Sequence, residues 1–299
     1  LFRLIVGWFG RMHINIAPDQ QTPTLGAHHP YKGHTKDANL ISYWQFEHGS
    51  NKTGIAIDSA GQNNGTINGA TFTDEGAIGS AYKFDGVNDY MQVYANTSTL
   101  SVGTSLRTNY TMLLWFKTSC TDCGIYHVEG DPGVCINGHD RHIYLSAGNL
   151  CQRVWSNEII CTSGTNYADN QWHQIAQWVD KSTGQRIYAD GIKVANGTKT
   201  TSDFTWAEYI VIGASCDATN DYFNGSIDQV MVYNRSLSAT EIYEMYLDGR
   251  INASSTVSTD QDLGASAVNQ TDYDNDALKN IFNWYRNETT ITLLNMPFD

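Results

Sequence analysis

The residues of this chain that could do chemistry fall into three sets: carboxylates, cysteines, and asparagines in Asn-X-Ser/Thr triplets. Glycoside hydrolysis needs two carboxylates flanking the scissile bond, one an acid and the other a base or nucleophile. The spacings Glu-X-Asp-X-X-Glu and Glu-X-Asp-X-Glu do not occur. The nearest acidic pair, Glu129-Gly130-Asp131, runs into Pro132-Gly133, a turn signal. Gly-X-Ser-X-Gly, Walker and His-Glu-X-X-His motifs are absent as well. The carboxylates therefore point to a protein that binds or builds and is not an enzyme, with a divergent glycoside hydrolase as the remoter reading.

The six cysteines, Cys120, Cys123, Cys135, Cys151, Cys161 and Cys216, are even in number and confined to one stretch, as expected of disulfides in an oxidising compartment. Cys151 and Cys161 flank an expected hairpin and are the best single pair; the rest of the connectivity stays open. Cys120-Thr-Asp-Cys123 has CxxC spacing, but no second CxxC and no βαβ pattern accompany it. Asn51, Asn64, Asn96, Asn109, Asn196, Asn224, Asn234, Asn252, Asn269 and Asn287 each open a glycosylation triplet. So many triplets imply an exported, extracellular glycoprotein.

Composition agrees. Eighteen Lys+Arg against 31 Asp+Glu give a net charge of −13 over 299 residues. Such a surface repels phosphate backbones and excludes nucleic acid as the expected partner. Residues 1–17 are apolar but broken by Arg3, Arg11 and His13 and too short to span a bilayer, so no transmembrane segment is expected. The first residue is Leu1, which suggests a removed signal or a piece of a longer precursor.

The elements that must position these groups are strands. Residues 11–16 alternate polar and apolar, and residues 18–38 form a Pro/Gly-containing linker in which His28, His29 and His34 read as solvated histidines rather than metal ligands. From residue 40 to residue 232, short alternating strands are separated by Gly/Asn/Asp turns, the pattern of an all-β sandwich. Strands are expected at residues 81–84, 90–93, 110–117, 172–179, 186–188, 192–194 and 227–233, with Asp190-Gly191 as a tight hairpin turn. Residues 238–247 read as a helix with Ser238 as cap, Glu241 three residues on, and Gly249 as the stop. Residues 278–285 and 290–294 read as two further strands.

Seven motifs in order carry a resemblance. They are Tyr43-Trp44-Gln45-Phe46-Glu47; Asp58-Ser59-Ala60-Gly61 with Asn64-Gly65-Thr66; Phe84-Asp85-Gly86-Val87-Asn88-Asp89-Tyr90; Leu114-Trp115-Phe116-Lys117; Trp172-His173-Gln174-Ile175-Ala176; Ile187-Tyr188-Ala189-Asp190-Gly191; and residues 223–238. Together they resemble the laminin-G-like/concanavalin A-like lectin jelly-roll family over residues 39–248. Asn283-Trp284-Tyr285-Arg286-Asn287 with residues 290–298, and residues 13–23, resemble parts of immunoglobulin-like domains of archaeal surface glycoproteins. The expected organisation is thus a terminal strand segment at 1–17, a linker at 18–38, the jelly roll at 39–248 and an incomplete Ig-like domain at 249–299.

The resemblance implies a structural calcium ion with Asp228 as a ligand and Glu47 and Asp58 as partners. Trp155, Tyr167, Trp206 and Tyr222, in or near turns, are the candidate sugar-stacking residues, while Trp44, Trp115 and Trp172 are expected in the core. The implied function is a cell-surface filament or surface-layer subunit that polymerises head to tail by β-strand complementation, residues 4–16 of one copy completing the C-terminal half-domain of the next, and displays a lectin-like domain. The alternative is a carbohydrate-binding adhesion module of a larger surface protein.

Overall fold

The computed structural model describes residues 37–47, 54–95, 109–136, 138–154, 158–199 and 208–249 in full, together with the backbone of the short strands at 2–5, 11–14, 51–52, 264–267, 281–286 and 289–295 and of residues 250–253. The chain divides into two compact units. One is residues 30–249; the other gathers residues 1–29 and 250–299. The second unit contains an antiparallel pair, Phe2–Ile5 with Arg11–Ile14, and a three-stranded antiparallel sheet, Gly264–Ala267, Ile281–Arg286 and Thr289–Asn295.

Residues 30–249 form a sandwich of two antiparallel sheets, as the alternation in the sequence requires. The first runs, edge to edge, Ile192–Gly197, Gly184–Ala189, Trp172–Asp180, Asn109–Thr118, Asn224–Tyr233, Ala81–Asp85 and Thr71–Thr73, and Leu40–Trp44 also pairs with Asn224–Tyr233. We call this the helix-side sheet. The second, here the loop-side sheet, runs Ile159–Cys161, Asn149–Arg153, His139–Ser146, Gly124–Glu129, Tyr209–Ile212, Tyr90–Tyr94, Gly65–Asn68, Ile55–Ala56 and Asn51–Lys52. Trp44, Phe84, Tyr110, Leu114, Phe116, Ile125, Val128, Ile143, Ile210 and Ile227 meet between the sheets, all but excluded from water.

Helix α1 (Ala239–Ala253) packs on the outer face of the helix-side sheet. Ile242 and Met245 bury against Leu113, Trp178, Met231 and Tyr233, forming a second apolar layer. The strand Asn109–Thr118 is therefore buried on both faces, which explains its nearly unbroken apolar run. The helix starts as its sequence predicts. Glu241 N donates to Ser238 Oγ at 3.2 Å and Ser238 N donates to Glu241 Oε2 at 2.7 Å, a reciprocal cap. Arg235 bridges this cap to Asp37, with Nε 3.0 Å from Asp37 Oδ2 and Nη1 3.0 Å from Glu241 Oε2. The Arg235 hydrogen bonds hold the Glu241 carboxyl down to about 2.

The Asp190-Gly191 turn has φ of 51° and 77°, the pair of positive angles a type I′ hairpin needs. A Cβ at Gly191 would lie 2.8 Å from the Tyr243 ring, so the helix closes down on the turn as well. The sharpest departure from strand periodicity is at Arg141, whose φ is 52° and where the pairing with Gly124–Glu129 shifts register.

Candidate functional site

Alternation fixes what the outer face of the helix-side sheet presents. Tyr82, Phe84, Phe116 and Ile227 point inward, so Lys83, Lys117 and Ser226 point outward. Register then places them in one line. Ser226 lies directly opposite Lys83 on one side and Lys117 on the other; Lys83 is opposite Thr71, and Lys117 is opposite Trp172. Five strands thus contribute one rung: Thr71, Lys83, Ser226, Lys117, Trp172. With strands ~4.8 Å apart, the two lysine backbones stand ~10 Å apart across a serine. Helix α1 covers the next rungs as far as Trp115, whose ring stacks on Tyr246 at 5.7 Å, and leaves this one open.

Lys83, Ser226 and Lys117 of this rung are the floor of a groove of about 460 Å³, walled by Thr73, Glu75, Asn170 and Asn224. Neither Lys83 nor Lys117 has a carboxylate partner among the described residues, although the chain is strongly acidic. Asn170 is brought in by a local clamp. Its N–H donates to Thr118 O at 2.8 Å, and beside it His173 Nδ1 meets Asp190 Oδ2 at 2.8 Å while Nε2 meets Asp169 Oδ1 at 3.1 Å. Burial pulls the His173 pKa down, but the hydrogen bonds and charges of Asp190 and Asp169 outweigh it and the net shift is upward.

Asp228 lies on the same outer face, opposite Trp115. Its carboxylate is fully buried, accepting from Ile78 N at 2.9 Å and from Gln229 N at 2.7 Å, with no basic side chain paired to it among the described residues. Burial pushes its pKa well above the usual carboxylate range, and the neighbouring Glu47 charge pushes the same way. Glu47 accepts from Ser80 N and Gln229 Nε2, both at 3.3 Å, and presses on Gly79, where a Cβ would sit 2.2 Å from Oε2. Two close acids without a basic partner on Asp228 form an oxygen donor set of the kind that suits calcium. Asp58, the third expected ligand, is engaged differently. Its Oδ1 takes the amides of Tyr43, Ala60 and Gly61, and its Oδ2 that of Asn63, so it knots the loop to the first strand of the sandwich.

The aromatic expectations fare unevenly. Tyr167 is in the core, its ring edge-on to His173 at 5.2 Å, and does not form an open sugar platform. Tyr222 is half-buried, bridged through its backbone to Ala214. Trp155 and Trp206 lie outside the described residues. Trp172, expected in the core, instead sits half-exposed on the groove rung, whereas Trp44 and Trp115 are buried. The lysines were not singled out by sequence reasoning, since only long-range register aligns them.

Two disulfides close. Cys151–Cys161 joins directly opposed strand residues, as expected, and Cys135–Cys216 ties residues 130–138 to the loop after Tyr209–Ile212. Cys120 and Cys123, expected in disulfides, are unbridged; the buried Cys123 Sγ lies 3.6 Å from the Cys120 carbonyl oxygen. Of the glycosylation triplets, Asn64, Asn196, Asn224 and Asn234 are exposed and Asn109 is half-buried; Asn51, Asn96, Asn252, Asn269 and Asn287 lie outside the residues whose side chains are described. Glu129, read as part of a turn, ends a strand and is wholly buried, bonded to His127 Nε2 at 2.7 Å. No helix among the described residues is long and apolar enough to cross a membrane.

Residues 84–243, just over half of the chain, match the Concanavalin A-like lectin/glucanases superfamily. The chain belongs to that superfamily. Solved structures share its fold. Domain 4 of AbnA, a GH43 extracellular arabinanase from Geobacillus stearothermophilus solved with arabinotriose, is 19% identical over 70% of this chain and 98% of that one, with a TM-score of 0.51. The binding domain of Paraclostridial Mosquitocidal Protein 1 is 18% identical over 70% of this chain and 52% of that one, TM-score 0.53. Trypanosoma rangeli sialidase in complex with sialic acid is 12% identical over 72% of this chain and 34% of that one, TM-score 0.55. No curated protein sequence matches the chain.

Proposed function

We propose that this lectin-like domain is an extracellular carbohydrate-binding module whose ligand is an acidic sugar held in the groove over Lys83, Ser226 and Lys117. The observation that carries this reading is the rung itself: two ammonium groups, unpaired with any described carboxylate, flank a small hydroxyl and end at a half-exposed tryptophan. Ammonium groups suit a carboxylate or sulfate, hydroxyl and amide groups suit sugar hydroxyls, and an indole suits the apolar face of a pyranose. The arabinotriose-bound domain of the arabinanase supports sugar binding by a separate domain of this fold.

Among the described lining residues Glu75 is the groove's one carboxylate, so a hydrolytic acid pair is lacking there, which favours binding over catalysis. Calcium is assigned to Asp228 and Glu47, where it would neutralise the acid pair and fix residues 77–80 against the sheet. The finer reading, a glycosylated surface filament, is supported by the glycosylation triplets and by the small antiparallel sheets of the terminal unit, whose outer strands have no further ladder partner among the described residues and could pair with a strand from another copy.

A glycan array probed with the full chain and with the Lys83→Ala/Lys117→Ala variant tests the central reading. Retention of carboxylated or sulfated glycans by the parent and their loss by the variant are expected. Equal binding of neutral glycans by both proteins would overturn it.

A further inference from the structure

The outer face of the loop-side sheet carries a cluster that the sugar reading does not use. His139 and His142 stand three residues apart on one strand, a spacing that puts side chains on opposite faces of a regular strand. The positive φ at Arg141 breaks that alternation and turns both imidazoles to the same side. His139 Nδ1 then faces His142 Nε2 at 2.9 Å, and Asp217 Oδ1 lies 3.8 Å from His142 Nε2. A left-handed residue in mid-strand is strained, and such strain gathers where a site requires it.

We propose that His139 Nδ1, His142 Nε2 and Asp217 Oδ1 form a binding site for a borderline-soft divalent cation of the zinc class. The three ligand atoms lie within 4.8 Å of one another. Zinc takes imidazole nitrogen and carboxylate oxygen at ~2.0–2.2 Å in a tetrahedron, which puts ligand atoms ~3.3 Å apart, so small side-chain movements close the site. The fourth position is left for water. Imidazole nitrogens select zinc, copper or nickel over calcium, which keeps this site chemically separate from Asp228 and Glu47.

The surroundings supply what metal ligands need. His142 Nδ1 is held by Ser215 Oγ at 2.8 Å, which orients the ring and leaves Nε2 for the metal. Two imidazole nitrogens at 2.9 Å attract only if a proton lies between them; otherwise their lone pairs collide, and a cation takes the proton's place. Arg153 Nε grips Asp217 Oδ2 at 2.5 Å, steering the other oxygen toward the histidines. The same guanidinium lies 3.1 Å from His139 Nδ1 through Nη2, a contact it gives up when metal enters. The Cys135–Cys216 disulfide anchors the residue next to Asp217, fixing the third ligand against the strand. Bound metal would join the strand His139–Ser146 to that loop.

The test uses the full chain with His28, His29 and His34 replaced by alanine, stripped of metal and titrated calorimetrically with zinc chloride near neutral pH. One equivalent of zinc is expected, with a raised melting temperature and, for cobalt, the intense visible bands of a low-coordinate site. His139→Ala and Asp217→Asn, both at partly exposed positions, should each weaken binding at least tenfold with far-UV circular dichroism unchanged. Glu244→Gln, exposed on α1 over the other sheet, should leave zinc affinity as it was. Zinc failing to bind the triple-alanine protein, or binding it with affinity untouched by both His139→Ala and Asp217→Asn, would overturn the assignment.

Discussion

The two outer faces of the sandwich handle polar groups in opposite ways. On the loop-side sheet, His127, Glu129, His139, His142, Arg153 and Asp217 pair with one another beneath loops tied by Cys135–Cys216. On the helix-side sheet, α1 seals Leu113, Met231 and Tyr233 and stops one rung short, leaving Lys83 and Lys117 unpaired with described carboxylates above a serine. Both sheets share one core, so the fold does not impose the difference. A face whose polar groups answer one another is largely stabilised from within, with room at most for the one cation proposed between His139, His142 and Asp217, while a face whose like charges are held apart without described counter-charges suits a larger anionic ligand.

The largest effect should come from opening the paired face. Replacing Cys135 and Cys216 with serine removes a cross-link over 81 residues, which should cost about 4 kcal/mol in denaturant unfolding. Sugar binding on the opposite face should survive in the remaining folded protein. If it does not, the two faces are not independent. Next comes the unpaired face. Lys83→Ala with Lys117→Ala should weaken acidic-sugar binding by about 3 kcal/mol, from two charge-assisted contacts, while stability changes by less than about 0.5 kcal/mol.

Calcium should stabilise the same face by about 2.7 kcal/mol at a concentration a hundredfold above its dissociation constant, read as a higher melting temperature that chelator reverses. Asp228→Asn should abolish the response and Asp58→Asn should not, because Asp58 spends its oxygens on four backbone amides, whereas Asp228 takes the amides of Ile78 and Gln229 and faces the charge of Glu47.

The His173 clamp gives the comparison a pH dependence. Its folded pKa is raised, so its contribution is fully present below the unfolded value of 6.5 and is lost as pH climbs through the folded value. Sugar affinity should fall over that rise, and His173→Ala should flatten the profile and cost about 2 kcal/mol of stability. The smallest effect expected is that of Ser238→Ala, about 1 kcal/mol through the lost cap. Glu241 adds the opposite sign: held near 2, it stabilises above the ordinary value of 4.5 and loses that contribution as pH falls toward 2.

Legibility in the sequence followed the range of the interaction. The Asp190-Gly191 turn, the Ser238/Glu241 cap and the Cys151–Cys161 pair depend on residues a few positions apart, and each was readable. The Lys83–Ser226–Lys117 rung was not, because its members come from three strands whose register only the folded sheet fixes. Period-two alternation would have separated His139 from His142, and nothing local to Arg141 announces its left-handed backbone. Tyr167 reads as a loop aromatic but belongs to the core, and Trp172 reads as core but is half-exposed opposite Lys117, since local sequence does not say where α1 ends its cover. The acid pair of Asp228 and Glu47 became visible only through resemblance to a family, then through burial.

The most direct measurement of the central claim is a titration of the full chain, in its Asn224→Gln form so that no attached glycan fills the groove, with an acidic oligosaccharide and its neutral, carboxyl-reduced counterpart at low and high salt. Binding of the acidic form alone, weakened by salt and shifting the amide resonances of Lys83, Lys117 and Ser226, is the predicted result. Equal affinity for both forms, unchanged by salt and with those resonances still, would contradict the account.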